Sequence, residues 1–444
     1  MNTRVVIVLF VVLSITSILP CQEKEVDKID LEQLKRELVQ LRAQLDSLKA
    51  LHQSLVDDQG DAIDQLSARL DKRLAQLENK IDAVSRATAP TVLNPRTTAF
   101  INFAARADNK KVMDESGESV IDNRPFLRTF EMEIQAPVDP YAQAVTVMSL
   151  EDEAGKGFSV DAEEAYGLIK RLPILESAPL GLKLKLGKFR APLGTDNKIH
   201  MHDLPWTTRP LVISKFLGTE HGEFFESGFN PVGLDFDFFL PNPIPATTLE
   251  MNADIVRAGD LGLSLGHVGT QPAYIGHITL SKDWNNEHLL VVGASGYSES
   301  GESKTRMVGV DVTYKWAPVE LREYHSFVMG GELFSGYHSF IIENTVTSTS
   351  PYGWFGYGQY QFSYWTYVGV RYDWVQEPTD AHLITSAWSA YVSYYTTEFL
   401  RFRIGYQTKN SDILAADQRK VNSIVLDINF VFGSHPAEPY WVNR

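Results

Sequence analysis

The chain has almost no cysteine, with Cys21 alone among 444 residues. An internal disulfide is excluded, and so are a cysteine-based metal site and a redox pair. Basic residues are also short: 41 Lys and Arg stand against 56 Asp and Glu, for a formal charge of −15. That balance excludes duplex nucleic acid as a partner, because binding it rests on neutralising phosphates. There is no HExxH, no glycine-rich phosphate loop and no EF-hand spacing. Gly262-Leu263-Ser264-Leu265-Gly266, followed by His267, has the letters of a nucleophile elbow. An elbow needs a strand, a sharp turn and then a helix. Here Leu261, Leu263 and Leu265 alternate and no helix succeeds them, so the segment is read as a glycine-rich strand or turn. No enzyme, no cofactor and no metal is expected.

A long apolar run is missing too. The stretch from Val5 to Leu19 falls short of the roughly 20 residues a membrane helix needs. Preceded by Arg4 and followed by Pro20-Cys21, it fits a signal peptide spanning residues 1–21. Lipidation of Cys21 is the alternative, although Pro20 stands where a lipoprotein signal carries a small residue.

The next segment is periodic. Leu31, Leu34, Leu38, Leu41, Leu45, Leu48 and Leu55 recur at alternating spacings of three and four. His52 is the one polar seam position. After Gly60 a second block carries Ile63, Leu66, Leu70, Leu74, Leu77, Ile81 and Val84, with a stutter at 66-70-74 that locally unwinds a supercoil. One helix cannot bury such a seam, so residues 22–86 are read as a coiled coil that self-associates. The alternative is an amphipathic helix lying on a barrel or membrane. Pro90 and Pro95 break the helix and mark a linker over residues 87–96.

From residue 97 the period becomes two. Val308, Val310, Val312, Tyr314 and Trp316 alternate with Gly309, Asp311, Thr313 and Lys315. Leu400, Phe402, Ile404 and Tyr406 alternate with Arg401, Arg403, Gly405 and Gln407. Ile424, Leu426, Ile428, Phe430 and Phe432 alternate with Val425, Asp427, Asn429 and Val431. One such strand fits any sandwich. Its repetition through residue 433, with polar turns between, fits an all-β transmembrane barrel. Sixteen antiparallel strands are expected, with eighteen the alternative, since single-chain bacterial barrels have even numbers. Aromatic pairs such as Tyr314 and Trp316, or Tyr372 and Trp374, suit the membrane interfaces. Residues 434–444 form a tail.

The segment from Leu182 to Gly194, LKLKLGKFRAPLG, is the most informative. Leu182, Leu184 and Leu186 share one face, with Lys183 and Lys185 on the other. After Gly187 the phase slips, which a glycine bulge would explain. Lys183, Lys185, Lys188 and Arg190 would then all face the interior, joined by Arg371, Arg401 and Arg403 as pore-lining candidates. Rings of cations favour anions. The competing reading pairs them with Asp235 and Asp237. Thr195 to Gly228 is a long insertion holding Asp203, Arg209 and Lys215. It is read as a constriction loop folded into the lumen, against an outward-facing loop. His200, His202, Asp203 and His221 are the only metal-like group, without a third ligand of known geometry.

The GKFRAPLG stretch, Gly187 to Gly194, resembles the strand and loop of the phosphate-selective porin O/P family and the related DcaP-like porins. There, a strand of the form G-basic/polar-F-basic runs into a long loop containing proline. A coiled coil ahead of a barrel resembles the DcaP-like members in particular. The resemblance covers residues 22 to about 433. It implies a homotrimer in the outer membrane of a Gram-negative bacterium, surrounded by membrane lipid, with the coiled coil in the periplasm. It also implies passive diffusion of small hydrophilic, often anionic, solutes. One departure is the tail, because those porins commonly end on an aromatic residue of the last strand. A second reading makes the barrel an anchor whose coiled coil contacts the cell wall or periplasmic partners.

Overall fold

A computed structural model describes residues 31–54, 72–74, 94–110, 112–113, 119–121, 125–152, 157–172, 177–218, 228–259, 261–265, 271–301, 304–321, 324–342, 345–414, 418–434 and 441–442. The segment expected to be a signal peptide lies outside them. The chain divides into two compact units, Met1–Asn94 and Pro95–Arg444. The first contains helix α1, Leu31–Ser54. Its seam leucine Leu45 is buried, as is Leu74 further along. No described helix is long and apolar enough to cross a membrane, which leaves strands untouched.

The second unit is built on sixteen long strands. They are β1 (Arg96–Asp108), β2 (Pro125–Pro137), β3 (Ala142–Asp152), β4 (Phe158–Ile169), β5 (Lys183–Lys188), β6 (Val232–Phe239), β7 (Thr247–Val256) and β8 (Ala273–Trp284). Next come β9 (His288–Glu299), β10 (Lys304–Trp316), β11 (Ser326–Ile342), β12 (Tyr352–Gln361), β13 (Thr366–Gln376), β14 (Ile384–Thr397), β15 (Leu400–Ser411) and β16 (Lys420–Gly433). Each is antiparallel to its neighbours in sequence, and β1 pairs with both β2 and β16, so the sheet closes. A short strand, Thr345–Thr349, extends the end of β11, and Val112–Met113 pairs with Ser119–Ile121 in the loop after β1. Closure removes every free edge, the only way a sheet can stand in lipid.

The period of two dictates the two faces. On β10, Val308, Val310 and Val312 are exposed outward while Met307 and Asp311 are buried inside. On β15, Phe402, Ile404 and Tyr406 face out, and Arg401 and Arg403 are buried within. A continuous apolar exterior of this kind is stable only against lipid, so the barrel is of the transmembrane type. Its rims are aromatic: Trp284 stacks on His288, and Tyr352 lies against Trp374. The β8–β9 hairpin turns on Asn285 and Asn286 at φ of 58° and 55°, the left-handed pair that asparagine tolerates and that matches the twist of the strands.

One sequence expectation needs correction. The bulge expected at Gly187 is absent: β5 runs in unbroken register with β4 and β6. Gly187 instead takes φ of 139°, and a Cβ there would lie 2.2 Å from the Ala165 carbonyl oxygen. Phase slips sit instead in other strands, opposite Asn102/Phe103 in β2, opposite Val147/Met148 in β4 and between Tyr395 and Thr397 in β14. Of the two readings of the GLSLG segment, the described residues take the turn. Gly262–Ser264 is a single 3-10 turn with Leu261, Leu263 and Ser264 buried.

Candidate functional site

The described part of the chain between β5 and β6, residues 189–218 and 228–231, folds into the barrel rather than away from it. Phe189, Leu193, Met201, Leu204, Trp206 and Phe216 are buried in one apolar cluster with inward wall residues such as Tyr297, Met307, Phe334 and Phe355. This decides against the outward-facing reading of the insertion. Within it, Leu211–Phe216 forms a short helix, α2. The loop after β7 packs beside α2: the Gly262 N–H donates to the Leu217 carbonyl at 3.3 Å, and a Cβ on Gly262 would meet the Gly218 carbonyl oxygen at 2.0 Å.

On one side of the lumen, wall arginines hold the loop by its backbone. Arg403 donates to the carbonyls of Trp206 and Leu204 at 2.6 and 2.7 Å. Arg128 donates to the Thr207 carbonyl at 2.6 Å and also pairs with Asp427. Arg371 donates to the Thr208 carbonyl at 2.5 Å and to Asp373 at 2.8 Å, with its guanidinium 5.0 Å from the Trp206 ring. All three are fully buried. A loop entering a barrel brings carbonyls that no ladder satisfies, and each would be costly if left bare. Guanidinium, with five donors in a planar fork, suits that task. Acidic wall groups answer the loop's donors: Glu332 accepts from the N–H groups of Thr195 and Asp196 at 2.9 and 2.7 Å, and Asp373 from that of Leu211 at 3.1 Å.

The other side keeps open space. A cavity of about 400 Å³ is lined by Arg96, Phe100, Glu131, Glu133, Glu164 and Tyr166 from β1, β2 and β4, and by His200, His202 and Asp203 from the loop. His200 bridges Glu131 at 3.3 Å and Glu164 at 2.8 Å. His202 lies 3.3 Å from Glu131 and 3.5 Å from Asp203, and stacks on Phe100. Burial alone would push the His200 imidazole down, but the Glu131 carboxylate and the hydrogen bonds to Glu131 and Glu164 hold it well above its ordinary value. His202 is raised by Glu131 and Asp203 against the same burial.

The residues singled out from sequence divide accordingly. Lys183 and Lys185 share the inner face, but each has an acid opposite: Asp237 at 3.2 Å and Asp235 at 3.0 Å. The pairing reading therefore describes them. With the register unbroken, Lys188 lies opposite exposed Val232 rather than on the face of Lys183 and Lys185, and its ammonium reaches Asp161 at 3.3 Å. Its grouping with the inner cations is corrected. Arg190 is buried inside, near Glu163 at 3.7 Å and the Asn197 carbonyl at 3.3 Å. Arg401 faces inward against Asp427 at 3.4 Å. In the loop, Arg209 is buried on Asp196 at 3.2 Å. Burial pushes the Asp196 carboxyl up to about 6 although Arg209 and Arg371 pull the other way. Lys215 reaches Glu377 of the wall at 2.6 Å, and Asp203 edges the cavity. His221 lies outside the described residues. Among those described, no three His, Cys, Asp or Glu side chains are grouped to hold a metal. Ser264 is buried 3.2 Å from Thr305, which lies 2.9 Å from the His338 imidazole.

Sequence reasoning missed Arg128, Glu131, Glu332, Asp373 and Trp441. A signal existed for the side that is filled. Met307, Phe334 and Phe355 are apolar at inward positions, which a water-lined wall would not select.

No protein-family model matches the chain. An uncharacterised protein of Aquifex aeolicus (strain VF5) is 25% identical over 352 residues, covering 70% of this chain and 69% of that protein. Among solved structures, the outer-membrane channel DcaP of Acinetobacter baumannii covers 78% of this chain and 99% of its own at 10% identity and a TM-score of 0.48. An anion-selective porin from Comamonas acidovorans covers 76% and 99% at 10% identity and a TM-score of 0.49. At such values these likenesses carry no argument, and the fold rests on the closed sheet and its apolar exterior.

Proposed function

We propose that the chain is an outer-membrane porin through which small hydrophilic solutes diffuse. The observation that carries this is the charged cavity of about 400 Å³ left beside an inserted loop inside a closed barrel. A barrel serving only as an anchor has no need for a loop that narrows its interior without filling it. The ion pairs of Lys183 and Lys185 support a passage of mixed charge over one ruled by cations. Residues 1–21 are then a signal peptide, residues 22–86 a periplasmic coiled coil, and the assembly a homotrimer. The test is single-channel recording with the purified full-length protein in planar bilayers. Discrete conductance steps are expected, and a folded protein that never conducts would overturn the reading.

A further inference from the structure

Beyond β16, Trp441 and Val442 lie inside the barrel. β16 finishes at Gly433, yet Trp441 has no exposed surface and Val442 is nearly as buried. They join a cluster with Val328, Tyr367 and Tyr395, inward residues near the ends of β11, β13 and β14 that lie at the mouth where β16 ends. Trp441 meets Tyr367 edge-on at 5.6 Å between ring centroids. Its indole N–H donates to the Asp203 carbonyl of the inserted loop at 2.7 Å. The Arg403 guanidinium stands 5.8 Å from its ring, and this is the arginine that holds the loop at Leu204 and Trp206. A buried indole whose one polar atom is spent on a loop carbonyl fixes that loop in place.

We infer that Trp441 is a positioning residue for the constriction loop, a stop set into the mouth of the barrel that holds residues 203–206 against the wall and so limits the passage. Three contacts converge: the hydrogen bond to Asp203, the guanidinium face of Arg403, and the apolar seat on Tyr367 and Tyr395. Without the indole, the Asp203 carbonyl loses its donor and Arg403 loses the surface beneath it. The loop is then pinned from the wall alone.

The inference rests on the channel reading for its effect on current, but not for its effect on the loop. A protease site replacing residues 436–439 allows the tail to be cut after the full-length barrel has folded, and Trp441→Ala and Trp441→Phe make the same test without a cut. Two quantities are read: single-channel step size, and amide hydrogen exchange over residues 201–208. Cutting and Trp441→Ala should enlarge the steps and speed exchange about fivefold or more, the change expected from losing one hydrogen bond of ordinary net worth. Trp441→Phe keeps the ring but not the donor, and should fall between. Unchanged exchange in the cut protein would overturn the positioning role. Faster exchange with unchanged steps would show that Trp441 holds the loop without limiting the passage, and would overturn that half. If neither cut nor uncut barrel conducts, the channel reading fails, while the exchange result still decides whether Trp441 holds the loop.

Discussion

The two sides of the lumen satisfy the inserted loop in different ways. Along β13 and β15, together with Arg128 of β2, buried guanidinium groups bind backbone carbonyls beside an apolar cluster. Along β1 to β4 the loop presents imidazoles to carboxylates and leaves a cavity. Both walls show the same alternation in sequence. The difference lies in which loop atoms each meets. Carbonyls are fixed acceptors that must be answered wherever they are buried. Imidazoles can be charged or neutral, so their contacts depend on solution conditions. One side is therefore a permanent seal and the other an adjustable margin.

The largest effect should come from breaking the seal. In Arg371→Met, Asp373 loses a buried partner and the Thr208 carbonyl its donor. Removing one member of a buried pair costs about 3–5 kcal/mol. Urea unfolding of the detergent-solubilised barrel, followed by its gel mobility shift, should show that loss. A change within about 0.5 kcal/mol, typical of an ordinary surface site, would mean that the seal does not depend on this arginine. Gly262→Ala tests the packing on the same side. The added methyl meets the carbonyl oxygens of Gly218 and Lys215 at 2.0 and 2.7 Å. Overpacking of this kind costs about 1–3 kcal/mol. The same assay should register it, with a smaller midpoint shift than for Arg371→Met.

The barrel was legible in the sequence because a period of two sustained over hundreds of residues suits long strands of one closed sheet and little else, and β10 and β15 carry the alternation as expected. The insertion after Gly194 was legible as a loop of unusual length. Its contacts were not. Arg128 sits where a phase slip in β2 turns its side chain inward, and such slips obey pairing across strands rather than any local pattern. The slip expected at Gly187 rested on the order of Lys and Phe alone, whereas the glycine serves close approach to the Ala165 carbonyl. Trp441 is far from Asp203 along the chain and bonded to it in space, a proximity that no periodicity encodes.

The adjustable margin should respond to pH. His200 faces Glu131, Glu164 and Arg190, while His202 faces Glu131 and Asp203. Both imidazoles titrate above their unfolded value of about 6.5. Their contribution to holding the loop is fully present below that value and is lost as pH rises through the raised folded values. Exchange over residues 199–203 should therefore quicken as pH rises above about 7, beyond the intrinsic dependence. In His200→Gln that extra rise should shrink. If parent and variant gave the same pH profile, the imidazole would not be holding this side.

The smallest effect, and the sharpest for placing the inner face, concerns the lysines of β5. Lys183 and Lys185 share that face with Asp237 and Asp235, so the pairs are locally neutral. Replacing both lysines by Glu adds two carboxylates beside Asp235, Asp237 and the facing Asp254. Charges at a narrow passage between low-dielectric walls act strongly over a screening length of about 8 Å at physiological ionic strength. Reversal potentials in a KCl gradient should move towards cation preference. Lys188→Glu should not move them, because Lys188 is on the opposite face and its partner Asp161 is exposed. Equal shifts from the two variants would restore the bulge at Gly187 that the unbroken register excludes. A null result from Lys183→Glu with Lys185→Glu would place the conducting path away from β5, along the cavity bounded by Glu131 and His200 alone.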